Sequence, residues 1–157
     1  MHTMTRTFTY MTQEGFDAIT KEYEELQSNR PEFVKKLTQA ADMGDRSENA
    51  AYSFAKRKLR STDSRLRFLK KVIDHTKVSV PKQTEYIEIG SHVTVKLNDA
   101  EFTLHIVGLH EADPLNKKVS YRSPVGGALL NRRVGDLVKI QLEDRVIEYV
   151  IVEILIK

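Results

Sequence analysis

The chain has 157 residues, of which 40% are hydrophobic and 30% charged, and it contains no cysteine. This composition is typical of a folded protein, and the lack of cysteine excludes disulfides and cysteine-ligated zinc sites. No stretch approaches the roughly 20 apolar residues of a membrane span, and the N-terminus shows no secretion signal. We therefore expect a cytoplasmic protein with no membrane partner.

The formal net charge of +3 is distributed unevenly along the chain. Residues 12–44 hold 4 basic and 7 acidic side chains, whereas residues 45–77 hold 10 basic and 4 acidic ones. Residues 78–157 are nearly balanced, with 10 basic and 11 acidic side chains. A single basic segment indicates a local contact with a polyanion rather than general coating of DNA.

Two helical patterns with heptad spacing occupy the first half of the chain. Thr12 can cap the first pattern, whose core candidates are Phe16, Ile19, Tyr23, Leu26, Arg30, Phe33, Leu37 and Ala40. Those of the second pattern are Glu48, Tyr52, Ala55, Leu59, Thr62, Leu66, Leu69 and Ile73. We call these two sets the seam. Antiparallel pairing keeps the sum of facing positions at 88 or 89, which predicts a hairpin that turns near Gly44.

Each arm of this hairpin has roughly 30 residues and a length of about 45 Å. Arg30 is a polar residue in the seam, and Pro31 follows it directly. Because a proline inside a helix removes one backbone hydrogen bond, we expect a bend or a short break there rather than the end of the arm.

Beyond Pro81 the hydrophobic pattern alternates, as is typical of strands rich in β-branched residues. Strands are predicted at residues 87–89, 92–97, 102–107, 119–121, 137–142 and 146–156. A short helix is predicted to open at Ser123-Pro124 and to run to about Leu130. The fold class is therefore α+β, with a coiled-coil hairpin over residues 1–80, its tip near 43–48, and an antiparallel β-sheet domain over residues 81–157.

Two acids, Asp45 and Glu48, fall at the predicted hairpin tip. One interpretation is a capping box, in which Asp45 caps the second helix and Glu48 is its third residue. The other is that the carboxylates bind a divalent cation such as Mg²⁺, which prefers oxygen ligands. Two carboxylates do not complete a metal site, so a partner would supply the remaining ligands. The two interpretations are compatible, because a cap uses only one carboxylate oxygen.

A row of cations follows the tip along the second helix, and we call it the basic stripe. Its members are Lys56, Arg57, Arg60, Arg67 and Lys71. One interpretation is a solvated face that Asp63 and Asp74 partly neutralise. The other is a nucleic-acid contact, in which the cations neutralise phosphates and binding is sensitive to salt.

No sequence motif indicates a self-sufficient active site. The chain has no glycine-rich phosphate loop and no nucleophile elbow, and its five histidines lack the spacing of metal ligands. We therefore expect that the protein is not an enzyme by itself.

The segment Gly44-Asp45-Arg46-Ser47-Glu48-Asn49-Ala50 resembles the tip motif of the bacterial Gre transcript cleavage factors. The segment from Lys56 to Arg60 is more similar to the GreB branch than to GreA. Ser123-Pro124 and Val134-Gly135-Asp136 also fit the family, and the resemblance runs from about Thr12 to Ile156.

This resemblance implies a transcription elongation factor whose coiled coil enters the secondary channel of a backtracked RNA polymerase. Asp45 and Glu48 would share a catalytic Mg²⁺ with the polymerase, which then cleaves its own transcript. The basic stripe would lie along the extruded RNA 3′ end. An FKBP-like second domain would dock at the channel rim through Arg122, Ser123 and Pro124. The free protein is expected to be monomeric.

Two residues depart from the GreB-like pattern, because Ala51 and Arg122 stand where that pattern has acids. Arg122 keeps open an alternative function, an inhibitory Gre homologue that binds the channel without stimulating cleavage. A second alternative is an FKBP-like prolyl isomerase that carries a coiled coil.

Overall fold

A computed structural model describes residues 7–43 and 49–157. The chain divides into two compact units, of which one spans Asp17–His75. The other joins Thr76–Lys157 to the N-terminal segment that ends at Phe16. This division differs from the predicted boundary at residue 80, because both flanks of the hairpin belong to the second unit.

The first unit contains most of two long helices, α1 (Gln13–Ala41) and α2 (Ala50–Asp74). Every described seam residue is buried or half-buried, and Ala40, Ala55, Thr62 and Leu69 are the buried ones. The heptad pattern therefore identified the contacting faces. Helix α1 continues through Pro31 without a break, so the arm does not end there.

Two bidentate ion pairs join the antiparallel helices. Arg65 donates to both carboxylate oxygens of Glu22, at 2.7 and 3.0 Å, and Arg30 donates to both of Asp63, at 2.6 and 3.1 Å. The hydrogen bonds from Arg65 and Arg30 lower the pKa of Glu22 and of Asp63, respectively. Pairing by position placed Arg30 opposite Leu59, but its long side chain reaches one turn further along α2.

The second unit is built on a five-stranded sheet in the order β5-β4-β3-β7-β6. Its strands are β3 (His92–Leu97), β4 (Ala100–Val107), β5 (Lys118–Ser120), β6 (Leu137–Gln141) and β7 (Val146–Leu155). Helix α3 (Pro124–Leu129) follows β5. A separate two-stranded parallel sheet pairs β1 (Thr9–Met11) with β2 (Thr76–Val78).

The main sheet is mixed rather than antiparallel, because β4 and β5 run parallel. Their connection contains two 3₁₀ turns, Leu109–Glu111 and Pro114–Asn116, which return the chain to the same direction. The hydrophobic pattern of a strand does not encode its direction, so the predicted antiparallel sheet was wrong at this edge. The α+β fold class is confirmed.

The predicted strand at residues 87–89 is absent, although Ile87 is completely buried. Its backbone N–H donates to Arg132 O, and its carbonyl accepts from Asn131 N, both at 2.9 Å. Ile87 thus joins the core from a loop held against the end of α3. An apolar residue that is buried from a loop gives the same local hydrophobic pattern in the sequence as a residue of a strand.

One face of the sheet carries the core of this unit. Alternate residues of the central strands, such as Val93, Val95, Ile140 and Ile151, are almost completely buried there with Leu129 of α3. This alternation is what a half-buried sheet requires. Within the part of the chain that the structure describes, no helix is both long and apolar enough to cross a membrane.

The start of α1 is held in the second unit by Glu111. The Oγ1 of Thr12 accepts from Gly15 N at 3.1 Å, as expected of a cap. One Glu111 oxygen accepts from Thr12 N at 3.0 Å and from Gly108 N at 2.8 Å, and the other accepts from the Thr12 hydroxyl. A Cβ on Gly15 would overlap the Glu111 side chain, so a larger residue there would displace this carboxylate from its present position.

Candidate functional site

The tip connects α1, which ends at Ala41, to α2, which begins at Ala50. Asp45 and Glu48 fall in this connection and lie outside the described residues. Their role as metal ligands therefore stays a prediction. Among the described residues, no cluster of three or more histidines or acids is arranged to hold a metal ion.

The N-cap of α2 is Asn49, which contradicts the interpretation that Asp45 caps this helix. The backbone of Asn49 is extended, with φ −87° and ψ 103°, and its side-chain oxygen accepts from Tyr52 N at 3.1 Å. Its amide nitrogen donates to Ala40 O at 2.7 Å and so links α2 to the end of α1. A cap at Asp45 would require the helix to begin several residues earlier than it does.

Replacement of Asn49 by alanine is expected to lower the free energy of unfolding by about 1–2 kcal/mol, because it removes the cap and the bond to Ala40. Asn49→Asp keeps the cap acceptor but not the donor, so it should cost less than the alanine variant. Urea denaturation measures both changes. An alanine variant as stable as the wild type would contradict the cap.

The basic stripe is exposed along one flank of α2. None of its five side chains takes part in an ion pair with another described residue. The two acids expected to balance the stripe have other partners, since Asp63 pairs with Arg30 and Asp74 with Lys70. Arg67 contributes only the smallest part of the lowering of the Asp63 pKa. The stripe thus presents largely uncompensated charge.

A groove beside the seam gathers three members of the stripe. Lys56, Arg60 and Arg67 line it together with Leu37, Leu59 and Asp63. Their spacings of four and seven residues place the three cations on one side of α2, one turn and then two turns apart. Such a row can follow a phosphate backbone, although the RNA contact itself stays a prediction.

The predicted docking residues lie at the start of α3. Ser123 has a structural role, since its Oγ accepts from Gly126 N at 3.1 Å and donates to Ser120 O at 2.7 Å. Pro124, the first helical residue, is exposed. Arg122 is also exposed, with its guanidinium 5.7 Å from the centre of the Tyr121 ring. Arg122 and Pro124 are therefore accessible to a partner.

A stacked histidine pair was missed by the sequence reasoning. The rings of His92 and His105 lie 4.0 Å apart at an angle of 11°, beside a cleft of the second unit. The signal was available, because a hairpin over residues 92–107 that turns at Asn98-Asp99 pairs these two positions. Burial is the largest cause of the lowered pKa of each ring. The positive charge of Lys157 lowers the pKa of His92 further, and that of Lys118 lowers the pKa of His105 further. The negative charge of Glu14 opposes the lowering at both rings, and that of Glu111 opposes it at His105.

The histidine pair predicts a loss of stability on acidification. Between the lowered folded pKa and the unfolded value near 6.5, the unfolded chain binds protons that the folded chain does not. The free energy of unfolding should therefore fall as the pH drops through 6.5. Urea denaturation between pH 7.5 and 5.5 should show a smaller fall in His92→Gln/His105→Gln than in the wild type. An equal fall in the free energy of unfolding of the two proteins would show that the histidine pair does not cause the loss of stability.

Two sequence-family models together match almost the whole chain. The model described as "Transcription elongation factor, N-terminal" matches residues 9–78. The model described as "Transcription elongation factor, GreA/GreB, C-term" matches residues 71–156.

Individual relatives are similar over most of their length. Transcription elongation factor GreA 1 of Lactiplantibacillus plantarum is 42% identical over 139 residues, which cover 87% of this chain and 89% of the relative. Transcription elongation factor GreB of Yersinia pestis is 38% identical over 149 residues, covering 92% and 87%. The crystal structure of Gfh1 of Thermus thermophilus matches with 23% identity and a TM-score of 0.44, covering 94% of this chain and 99% of that one. Assignment to the GreB branch stays a prediction.

Proposed function

The chain belongs to the GreA/GreB family of transcription elongation factors, and on that premise we propose that it stimulates RNA polymerase to cleave its own backtracked transcript. The observation that carries the proposal is the hairpin itself. Helices α1 and α2 form an antiparallel arm whose connection, residues 42–49, contains both Asp45 and Glu48. An arm of this length can carry two carboxylates into a partner's active site.

The tip acids would supply part of a shared Mg²⁺ site in the polymerase. The chemistry of the donors fits, because Mg²⁺ is commonly held by one or two carboxylates with water and phosphate oxygens. Asn49 caps α2, so neither acid is needed as that cap. When bound, the metal ion would promote hydrolysis by lowering the pKa of its water. Asp45 and Glu48 would hold and orient that site, and the reaction belongs to the polymerase.

The basic stripe would hold the extruded RNA 3′ end while the tip acids act. Its charge is not consumed by ion pairs among the described residues, and three of its members share one groove. The second unit, which we propose to be FKBP-like, would dock at the channel rim through Arg122 and Pro124. The free protein would be monomeric.

A cleavage assay with omitted components tests this function. Purified backtracked complexes with labelled RNA should release a 3′ fragment rapidly only when the protein, Mg²⁺ and polymerase are all present. A protein that binds the polymerase and slows RNA synthesis without cleavage would be an inhibitory homologue, which would contradict the proposal. A proline-isomerisation assay on the same preparation is expected to show no activity.

A further inference from the structure

A second surface on the hairpin is apolar, and we call it the tip cleft. It has a volume of about 510 Å³ and lies between α1 and α2 near the tip. Its apolar lining residues include Phe33, Ala40, Met43 and Phe54. Met43 is 75% exposed and Phe54 is 67% exposed, values that are high for large apolar side chains. The cleft therefore presents apolar surface whose burial by a partner would be favourable.

The charged side chains among the described residues that line the tip cleft are both lysines. Lys36 and Lys58 line it, and Lys58 Nζ lies 5.2 Å from the centre of the Phe33 ring. No acid is found among the described residues of the lining. An occupant that complements this cleft combines a large apolar group with a negative charge nearby.

The position of the cleft on α2 distinguishes it from the basic stripe. Because the helix turns every 3.6 residues, Ala51, Phe54 and Lys58 lie on one side of the seam. Lys56, Arg60 and Arg67 lie on the other side. An RNA strand that follows the stripe would thus run along the opposite flank. This arrangement favours a polypeptide over RNA as the occupant of the cleft.

We propose that the tip cleft is a docking site for an acidic peptide segment that inserts a large apolar side chain between Phe33 and Phe54 and pairs a carboxylate with Lys36 or Lys58. The proposal rests on the proposed function in naming the source of this segment, which is the RNA polymerase. Methionine suits such a surface, because its flexible side chain adapts to an inserted group.

Photocrosslinking from position 54 tests which molecule enters the cleft. The full-length protein with p-benzoylphenylalanine in place of Phe54 is bound to a purified backtracked complex that carries labelled RNA. We expect a crosslink to a polymerase peptide with acidic residues close to the attachment point. A crosslink to RNA or to the protein's own chain would overturn the proposal, and so would no crosslink in a bound complex. The same probe at Phe68, outside the cleft, should give no crosslink to that peptide.

Charge reversal at the rim tests the ionic part of the contact. Lys36→Glu/Lys58→Glu is expected to weaken polymerase affinity at least about tenfold, because it would place like charges opposite the acidic segment across the interface. Lys36→Arg/Lys58→Arg should bind within about threefold of the wild type, since the charge is kept. The control Lys35→Glu/Lys70→Glu changes the same charge outside the cleft. Equal losses in the control and the rim variant would overturn the assignment.

Cleavage measured in the same complexes separates this proposal from the proposed function. A crosslink to the acidic polymerase peptide without stimulated cleavage would support the docking site and contradict the cleavage function. Stimulated cleavage without the crosslink would support the cleavage function and contradict the docking site.

Discussion

Replacing Asp45 by asparagine is expected to slow stimulated transcript cleavage by at least about 100-fold, because a neutral amide is a much poorer ligand for Mg²⁺ than a carboxylate. Affinity for the polymerase should stay within about twofold, since the variant is isosteric and the docking surfaces are unchanged. Stability should be unaffected, because Asn49 rather than Asp45 caps α2. Single-turnover cleavage and a binding titration on the same backtracked complex measure both effects.

The matched control for this variant is Asp42→Asn. Asp42 is an exposed acid just before the tip motif, so the same chemical change there should leave cleavage unchanged. Glu48→Gln should lose activity as Asp45→Asn does, and the double variant should lose little more, because residues of one site act as a unit. An Asp45→Asn variant with full activity would show that the carboxylate is not a metal ligand.

Removing three cations of the basic stripe is expected to weaken binding to backtracked complexes by about 30-fold at low salt. In the variant Lys56→Ala/Arg60→Ala/Arg67→Ala, the slope of log affinity against log salt should also decrease in magnitude by about 2, because each contact with single-stranded nucleic acid contributes about 0.7. Complexes without extruded RNA should bind wild type and variant alike. Titrations at several salt concentrations measure these differences.

The control for the stripe removes three exposed lysines of the hairpin that lie outside it. Lys21→Ala/Lys35→Ala/Lys70→Ala changes the net charge by the same amount, so it separates a local contact from the general field of the protein. It should keep most of the affinity and the salt dependence. If both triple variants lose affinity equally on backtracked complexes, the stripe is not a specific RNA contact.

The hairpin could be predicted from the sequence because its interactions are periodic and local. Seam residues recur every three or four positions, and the constant sum of paired positions relates one helix to the other. Specific side-chain reach could not be obtained in this way. Arg30 extends past Leu59 to Asp63, and Asn49 rather than Asp45 caps α2. The first contact depends on how far the Arg30 side chain extends, and the second depends on the residue at which α2 begins. Neither is encoded in the spacing of apolar residues.

The second unit was less predictable because contacts between distant segments determine it. The parallel pairing of β4 with β5 follows from two 3₁₀ turns, and the sheet of β1 and β2 joins segments more than 60 residues apart. Each of these short strands has only three residues, too few for a periodic signal. The two candidate surfaces also differ in how far the sequence predicts them. The basic stripe follows from helical spacing, whereas the tip cleft needs the packing of both helices.

The dependence of cleavage on Mg²⁺ concentration tests most directly the claim that the arm completes a metal site in the polymerase. In backtracked complexes, the wild-type protein should lower the Mg²⁺ concentration at which cleavage is half-maximal, because Asp45 and Glu48 add ligands to that site. Asp45→Asn at saturating concentration should leave this value where the polymerase alone has it. Equal Mg²⁺ dependence with the wild type and with the variant would contradict the shared metal site.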